Sequence, residues 1–97
     1  MNSAVASSVP LSGRPRLARH VRLVFDGARG RHMLLGPESV VVLNRTGADI
    51  LGLCDGHRTV AEIVAELRGR YQRVAADEVC GFLAGLLARR RVEISDG

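Results

Sequence analysis

The residues able to do chemistry in this chain are few and scattered. Three histidines, His20, His32 and His57, and two cysteines, Cys54 and Cys80, are the candidate metal ligands. No CxxC, HxxxH or mixed Cys/His cluster joins them, so no metal site is expected. The cysteines read as buried thiols of a reducing compartment. No serine lies in a GxSxG elbow, and no GxGxxG or P-loop follows an apolar strand. Asp77-Glu78 is an adjacent carboxylate pair, but its place suits the first turn of a helix rather than acid–base work. The stretch Gly27 to Gly30 is glycine-rich, yet Asp26 beside it would repel a phosphate. It reads as a turn. Neither catalysis nor a cofactor is expected, which leaves binding.

Two features point to a binding surface. The run Ser39-Val40-Val41-Val42-Leu43 contains neither charge nor proline, the devices by which proteins usually guard a strand edge. Three readings are open at this point. The C-terminal strand or N-terminal arm of the same chain covers it, the run is simply core, or an extended peptide adds a strand there by backbone hydrogen bonding. The second feature is the small-residue set Cys80, Gly81, Ala84, Gly85 and Ala88 within the last helical pattern. Glycine in a helix costs about 1 kcal/mol relative to alanine, so Gly81 and Gly85 call for close packing or close approach of another backbone. If that face flanks the strand edge, it walls a shallow groove ending at Arg89, Arg90 and Arg91.

These features must be positioned by a small domain. Ninety-seven residues with 46% hydrophobic content can build one core without disulfides or metal. Aromatics make up only 3%, so that core is aliphatic. All basic residues are arginines, and the net charge of +4 favours an acidic partner. Residues 1–15 read as a flexible arm, and 16–97 as the folded domain. Val21, Leu23 and Phe25 alternate with His20, Arg22 and Val24 as in a half-buried strand. Asp26 to Gly30 turns the chain, Arg31 to Leu35 returns it, Gly36-Pro37-Glu38 turns it again, and Ser39 to Leu43 follows. Three helices come next. Asn44 caps the first and Asp55-Gly56 stops it. Thr59-Val60-Ala61-Glu62 is a capping box for the second, with Ile63, Val64, Leu67 and Tyr71 on one face. The third starts near Ala76, with Val79, Phe82, Leu83, Leu86 and Leu87 as its apolar stripe. Val92-Glu93-Ile94 closes the chain as a brief strand. The fold class is α+β, a three-stranded antiparallel sheet followed by three helices. No run is apolar enough to cross a bilayer, and residues 1–15 do not form a signal peptide, so a cytoplasmic protein is expected.

Leu34-Leu35-Gly36-Pro37-Glu38, Leu43-Asn44-Arg45-Thr46-Gly47-Ala48-Asp49-Ile50-Leu51 and Cys54-Asp55-Gly56-His57-Arg58-Thr59-Val60 together resemble the family of PqqD, the pyrroloquinoline quinone biosynthesis protein D. The likeness runs from about Pro15 to Ile94. It implies a winged helix-turn-helix-like fold and a peptide chaperone without catalytic activity. By that resemblance the chain holds a ribosomal precursor peptide and presents it to a radical S-adenosylmethionine enzyme that joins a Glu and a Tyr within it. The peptide would lie between the third strand and the third helix. Carried onto this chain, the site is Val40, Val41, Val42 and Leu43 with Gly81, Ala84, Gly85, Ala88, Arg89 and Arg90. A DNA-binding winged helix is the competing reading. It is disfavoured because Asp77 and Glu78 open the helix that would read DNA. A structural module in which the open strand pairs with a second copy, as a homodimer, is the other. No nucleic acid or membrane partner is expected.

Overall fold

The computed structural model describes residues 9–95. In chain order its elements are β1 (Arg14–Leu17), β2 (Arg22–Asp26), β3 (Arg31–Leu35), β4 (Val40–Leu43), α1 (Arg45–Gly52), α2 (Val60–Arg68), α3 (Ala76–Ala88) and β5 (Val92–Ser95). Strands β2, β3 and β4 form an antiparallel meander in that order, so the architecture is the α+β, winged-helix-like one with a sheet before three helices. The first hairpin turns because the Asp26 carboxylate accepts from the amides of Ala28 at 3.1 Å and Arg29 at 3.3 Å. Gly30 then takes φ +62°, a conformation open to glycine at little cost.

Cross-strand partners share a face, so the register sorts the side chains. Leu23, Leu34 and Val41 form one inner row, and Phe25, His32 and Leu43 the next. Val24, Met33, Leu35, Val40 and Val42 point outward. Leu34 is wholly buried, and the inner rows rest on α1. The core continues through Ile50 and Leu51 of α1, Val60, Ile63, Val64 and Leu67 of α2, and Val79, Leu83 and Leu86 of α3.

Caps fix where the helices begin. Asn44 stays extended, and its side chain accepts from the Gly47 amide at 2.7 Å. At α2 the box is reciprocal: the Glu62 amide donates to Thr59 Oγ1 at 3.1 Å, and the Thr59 amide donates to Glu62 Oε1 at 2.8 Å. Helix α3 has no side-chain cap at Ala75, so Asp77 and Glu78 in its first turn supply the complementary charge. Its other end closes in a Schellman turn. The Arg90 amide donates to the Leu87 carbonyl at 2.9 Å, and that of Arg91 to Leu86 at 2.8 Å. Arg90 holds the left-handed φ of 61° usually left to glycine there.

Three sequence expectations are corrected. The arm expected to reach residue 15 is docked from Val9 onward, while residues 1–8 lie outside the described part. The first amides of a helix lack internal acceptors, and this segment provides them. Val60 donates to the Gly13 carbonyl at 2.9 Å, and Ala61 to Leu11 at 3.0 Å. Second, Arg14–Leu17 is a strand, and it pairs antiparallel with β5 in a separate two-stranded sheet. Third, Phe25 is 58% exposed despite its inward parity, because its row lies at the end of the sheet.

Candidate functional site

The end strands of the chain pair with each other, so among the described residues nothing covers the outer edge of β4. Which backbone groups that edge offers follows from the register. The Gly36 amide donates to the Ser39 carbonyl at 2.9 Å, making 36 and 39 a hydrogen-bonded pair. Such pairs alternate along an antiparallel ladder, so Leu34–Val41 and His32–Leu43 are bonded as well. Val40 and Val42 therefore direct their N–H and C=O groups away from β3. Their side chains are 59% and 53% exposed on the outer face. A strand laid here would place alternate side chains beside Val41 and Leu43, facing inward.

Those inward side chains would meet a groove of about 350 Å³. Its floor is Val41, Leu43, Gly47 and Ile50, and its far wall is Glu78, Val79 and Phe82 of α3. The loop carrying Tyr71, Arg73 and Val74 closes one end. Gly47 sets the wall's distance. A Cβ there would stand 3.2 Å from Phe82 Cζ and 3.1 Å from Asn44 Oδ1, so a side chain at 47 would press both back by a few tenths of an ångström.

Two polar contacts hold the groove's frame. At the Leu43 end the Tyr71 hydroxyl donates to Asp49 Oδ2, tying the loop after α2 to α1. That bond pushes the phenol above its ordinary pKa, with partial burial and the Asp49 charge adding to the effect. Arg70 supports the same carboxylate at 3.9 Å. At the Val40 end the Schellman turn delivers Arg91 toward the β3–β4 turn, where its guanidinium donates to Ser39 Oγ. The approach is close: a Cβ on Gly36 would sit 2.8 Å from Arg91 Nη1. The first contact joins the loop after α2 to α1, and the second joins the end of α3 to Ser39, just ahead of β4.

The groove brings together Val41, Val42 and Leu43 of the expected residues, and Val40 lies next along the same edge. Gly81, Ala84, Gly85, Ala88, Arg89 and Arg90 are not among its walls. A Cβ on Gly81 or Gly85 would meet nothing within 4 Å, so neither glycine serves an internal contact. Helical spacing still puts Gly85 and Arg89 on the stripe of Phe82, one and two turns beyond the groove. Sequence reasoning missed Gly47, Ile50 and Arg73 as lining residues, and within the stretch Val79 to Arg90 it did not single out Val79 and Phe82. Phe82 and Val79 read as core positions. The available signal was Gly47, a glycine inside a short helix whose cost demanded a close neighbour.

Comparison with known proteins follows the same outline. The family model of Coenzyme PQQ synthesis protein D (PqqD) matches residues 31–92. A PqqA binding protein of Azotobacter vinelandii is 45% identical over 90 residues, covering 91% of this chain and 98% of that protein. One of Pseudomonas aeruginosa is 40% identical over 86 residues, covering 87% and 94%. One of Rhodopseudomonas palustris is 47% identical over 64 residues, covering 66% of this chain and 63% of that relative. The solution structure of the PqqD part of Methylobacterium extorquens PqqCD, a stand-alone recognition element for ribosomally synthesized modified peptides, superposes with a TM-score of 0.70 at 38% identity. That match covers 81% of this chain and 87% of the other. The heterocyclase TruD shares the fold over 12% of its length, with a TM-score of 0.62 at 19% identity.

Proposed function

The chain belongs to the coenzyme PQQ synthesis protein D family, and on that premise we propose that it binds the PqqA precursor peptide as an added strand on β4. Binding, not catalysis, is its task. One observation carries the reading: among the described residues the outward backbone groups of Val40 and Val42 have no strand partner, and they lie beside a largely apolar groove. Relatives that match over nearly their whole length are named for binding PqqA, which supports the same ligand.

The added strand would run antiparallel or parallel to β4, its backbone bonding to Val40 and Val42. One inward side chain would fill the space between Leu43, Gly47 and Phe82. Held this way, the peptide keeps its outward side chains and both ends free for a modifying enzyme. We place a radical S-adenosylmethionine enzyme in that role and the cytoplasm as the compartment. No helix among the described residues is long and apolar enough to cross a membrane. The expected domain division is kept with an earlier start, since the segment from Val9 docks on α2.

Titration calorimetry with the PqqA peptide tests the reading. Saturable 1:1 binding is the expected outcome, and absence of heat or of any competing signal at high peptide concentration would contradict it. A second copy of the chain is the other occupant that the open edge suits. It would compete with the peptide, so light scattering should show any dimer dissociating as PqqA is added.

A further inference from the structure

At the end of the sheet beyond Leu43 lies a second hollow, of about 490 Å³, walled by residues of both faces: Phe25, Arg31, His32, Leu43, Asn44 and Arg45. Leu43 and Asn44 also line the groove, so the two spaces adjoin around the start of α1. Three features of this hollow bear on a ligand. Phe25 is 58% exposed and stands against His32 with ring centroids 4.8 Å apart. The Nε of Arg31 is shielded from solvent yet finds no acceptor among the described residues. Neither Arg31 nor Arg45 takes part in an ion pair among the described residues. Asp26 lies across the strand from Arg31, but its Oδ1 accepts from the turn amides of Ala28 and Arg29.

A shielded guanidinium donor without an acceptor is a costly arrangement that an anion relieves. Two free arginines beside an exposed aryl ring suit a carboxylate on a short apolar stem. We infer that this hollow is a carboxylate subsite, where an Asp or Glu of the bound peptide, lying past the segment paired with β4, sets its charge on Arg31 and Arg45 and its stem on Phe25. The inference rests on the peptide-binding reading above and gives the ligand a feature that strand addition alone does not require.

The test uses the full chain and the PqqA peptide of Azotobacter vinelandii, with each Asp and Glu of the peptide changed singly to Asn or Gln. The protein variants are Arg45→Gln and Phe25→Ala, both at exposed positions. One acid replacement and Arg45→Gln should each weaken binding about tenfold, the loss for one charge-assisted contact. Combined, they should weaken it by clearly less than the product of the two, because the acid and Arg45 share a contact while Arg31 keeps its own. Phe25→Ala should also weaken the parent peptide, with its unfolding midpoint unchanged. If no acid replacement couples to Arg45 while the parent peptide binds and Val42→Pro weakens that binding at least about tenfold, the subsite is wrong and the strand-addition reading stands. If the parent peptide does not bind at all, both are wrong.

Discussion

Proline at successive positions of β4 separates the internal ladder from the free edge. Val42 directs its N–H outward, so Val42→Pro removes one edge donor and puts the ring where the peptide backbone must come. Proline is tolerated on an edge strand when the lost N–H faced solvent, so stability should fall by about 1 kcal/mol or less. Binding loses one hydrogen bond, and the peptide carbonyl opposite is left unpaired. Together these are worth roughly 1.5–3 kcal/mol, about 10- to 100-fold in affinity. Val41 behaves in the opposite way. Its amide belongs to the bonded pair with Leu34, so Val41→Pro breaks the β3–β4 ladder at its centre and costs about 3 kcal/mol of stability. Urea unfolding and calorimetry with the PqqA peptide read both quantities on the same samples. Wild-type affinity in Val42→Pro, or wild-type stability in Val41→Pro, would refute the register from which the edge is derived.

Other changes follow from the packing. Phe82→Ala should weaken peptide binding at least about tenfold, because the ring is the groove's wall, while costing less stability than a fully buried residue. Leu34→Ala, at 0% exposure, should cost about 2–5 kcal/mol in urea unfolding. Gly81→Ala should raise stability by about 0.5–1 kcal/mol by thermal unfolding, since the new methyl meets nothing. Cys54 is pushed up to about 12 by burial, with Asp55 adding to it, so the native protein should resist alkylation there at pH 8 and react once unfolded. Backbone hydrogen bonds hold Glu62 and Asp55 below the usual carboxylate range. Their contribution is therefore complete above the unfolded value of about 4 and lost as pH falls through the folded one. Glu62→Gln should remove the Glu62 share of that acid dependence, whereas Thr59→Ala, which keeps the backbone donor, should remove only a part.

Much of the fold is legible because local chemistry dictates it. Asn44 and the Thr59–Glu62 box declare two helix starts, and period-two alternation with two turns declares the meander. What is hidden is non-local. Arg14–Leu17 holds a proline and two arginines in four residues and reads as tail, yet it pairs with Val92–Ser95 at the other end of the chain. No periodicity encodes that pairing. It also takes β1 and β5 out of the contest for β4, which the sequence leaves open. The site is legible on its strand side and obscured on its helix side. Gly81 and Gly85 suggest a close approach, but the helix turns both to open space. The close approach occurs at Gly47, against a phenylalanine that the apolar stripe assigns to the core.

The central claim is that the peptide lies on β4 against the N-terminal half of α3. Titration of the isotopically labelled chain with PqqA, followed by amide NMR, tests it residue by residue. The amides of Val40 and Val42 should shift most and gain protection from exchange, with Gly47, Val79 and Phe82 shifting along the groove. Shifts confined to β1 and β5, or to the outer face without protection at Val40 and Val42, would contradict strand addition at this edge.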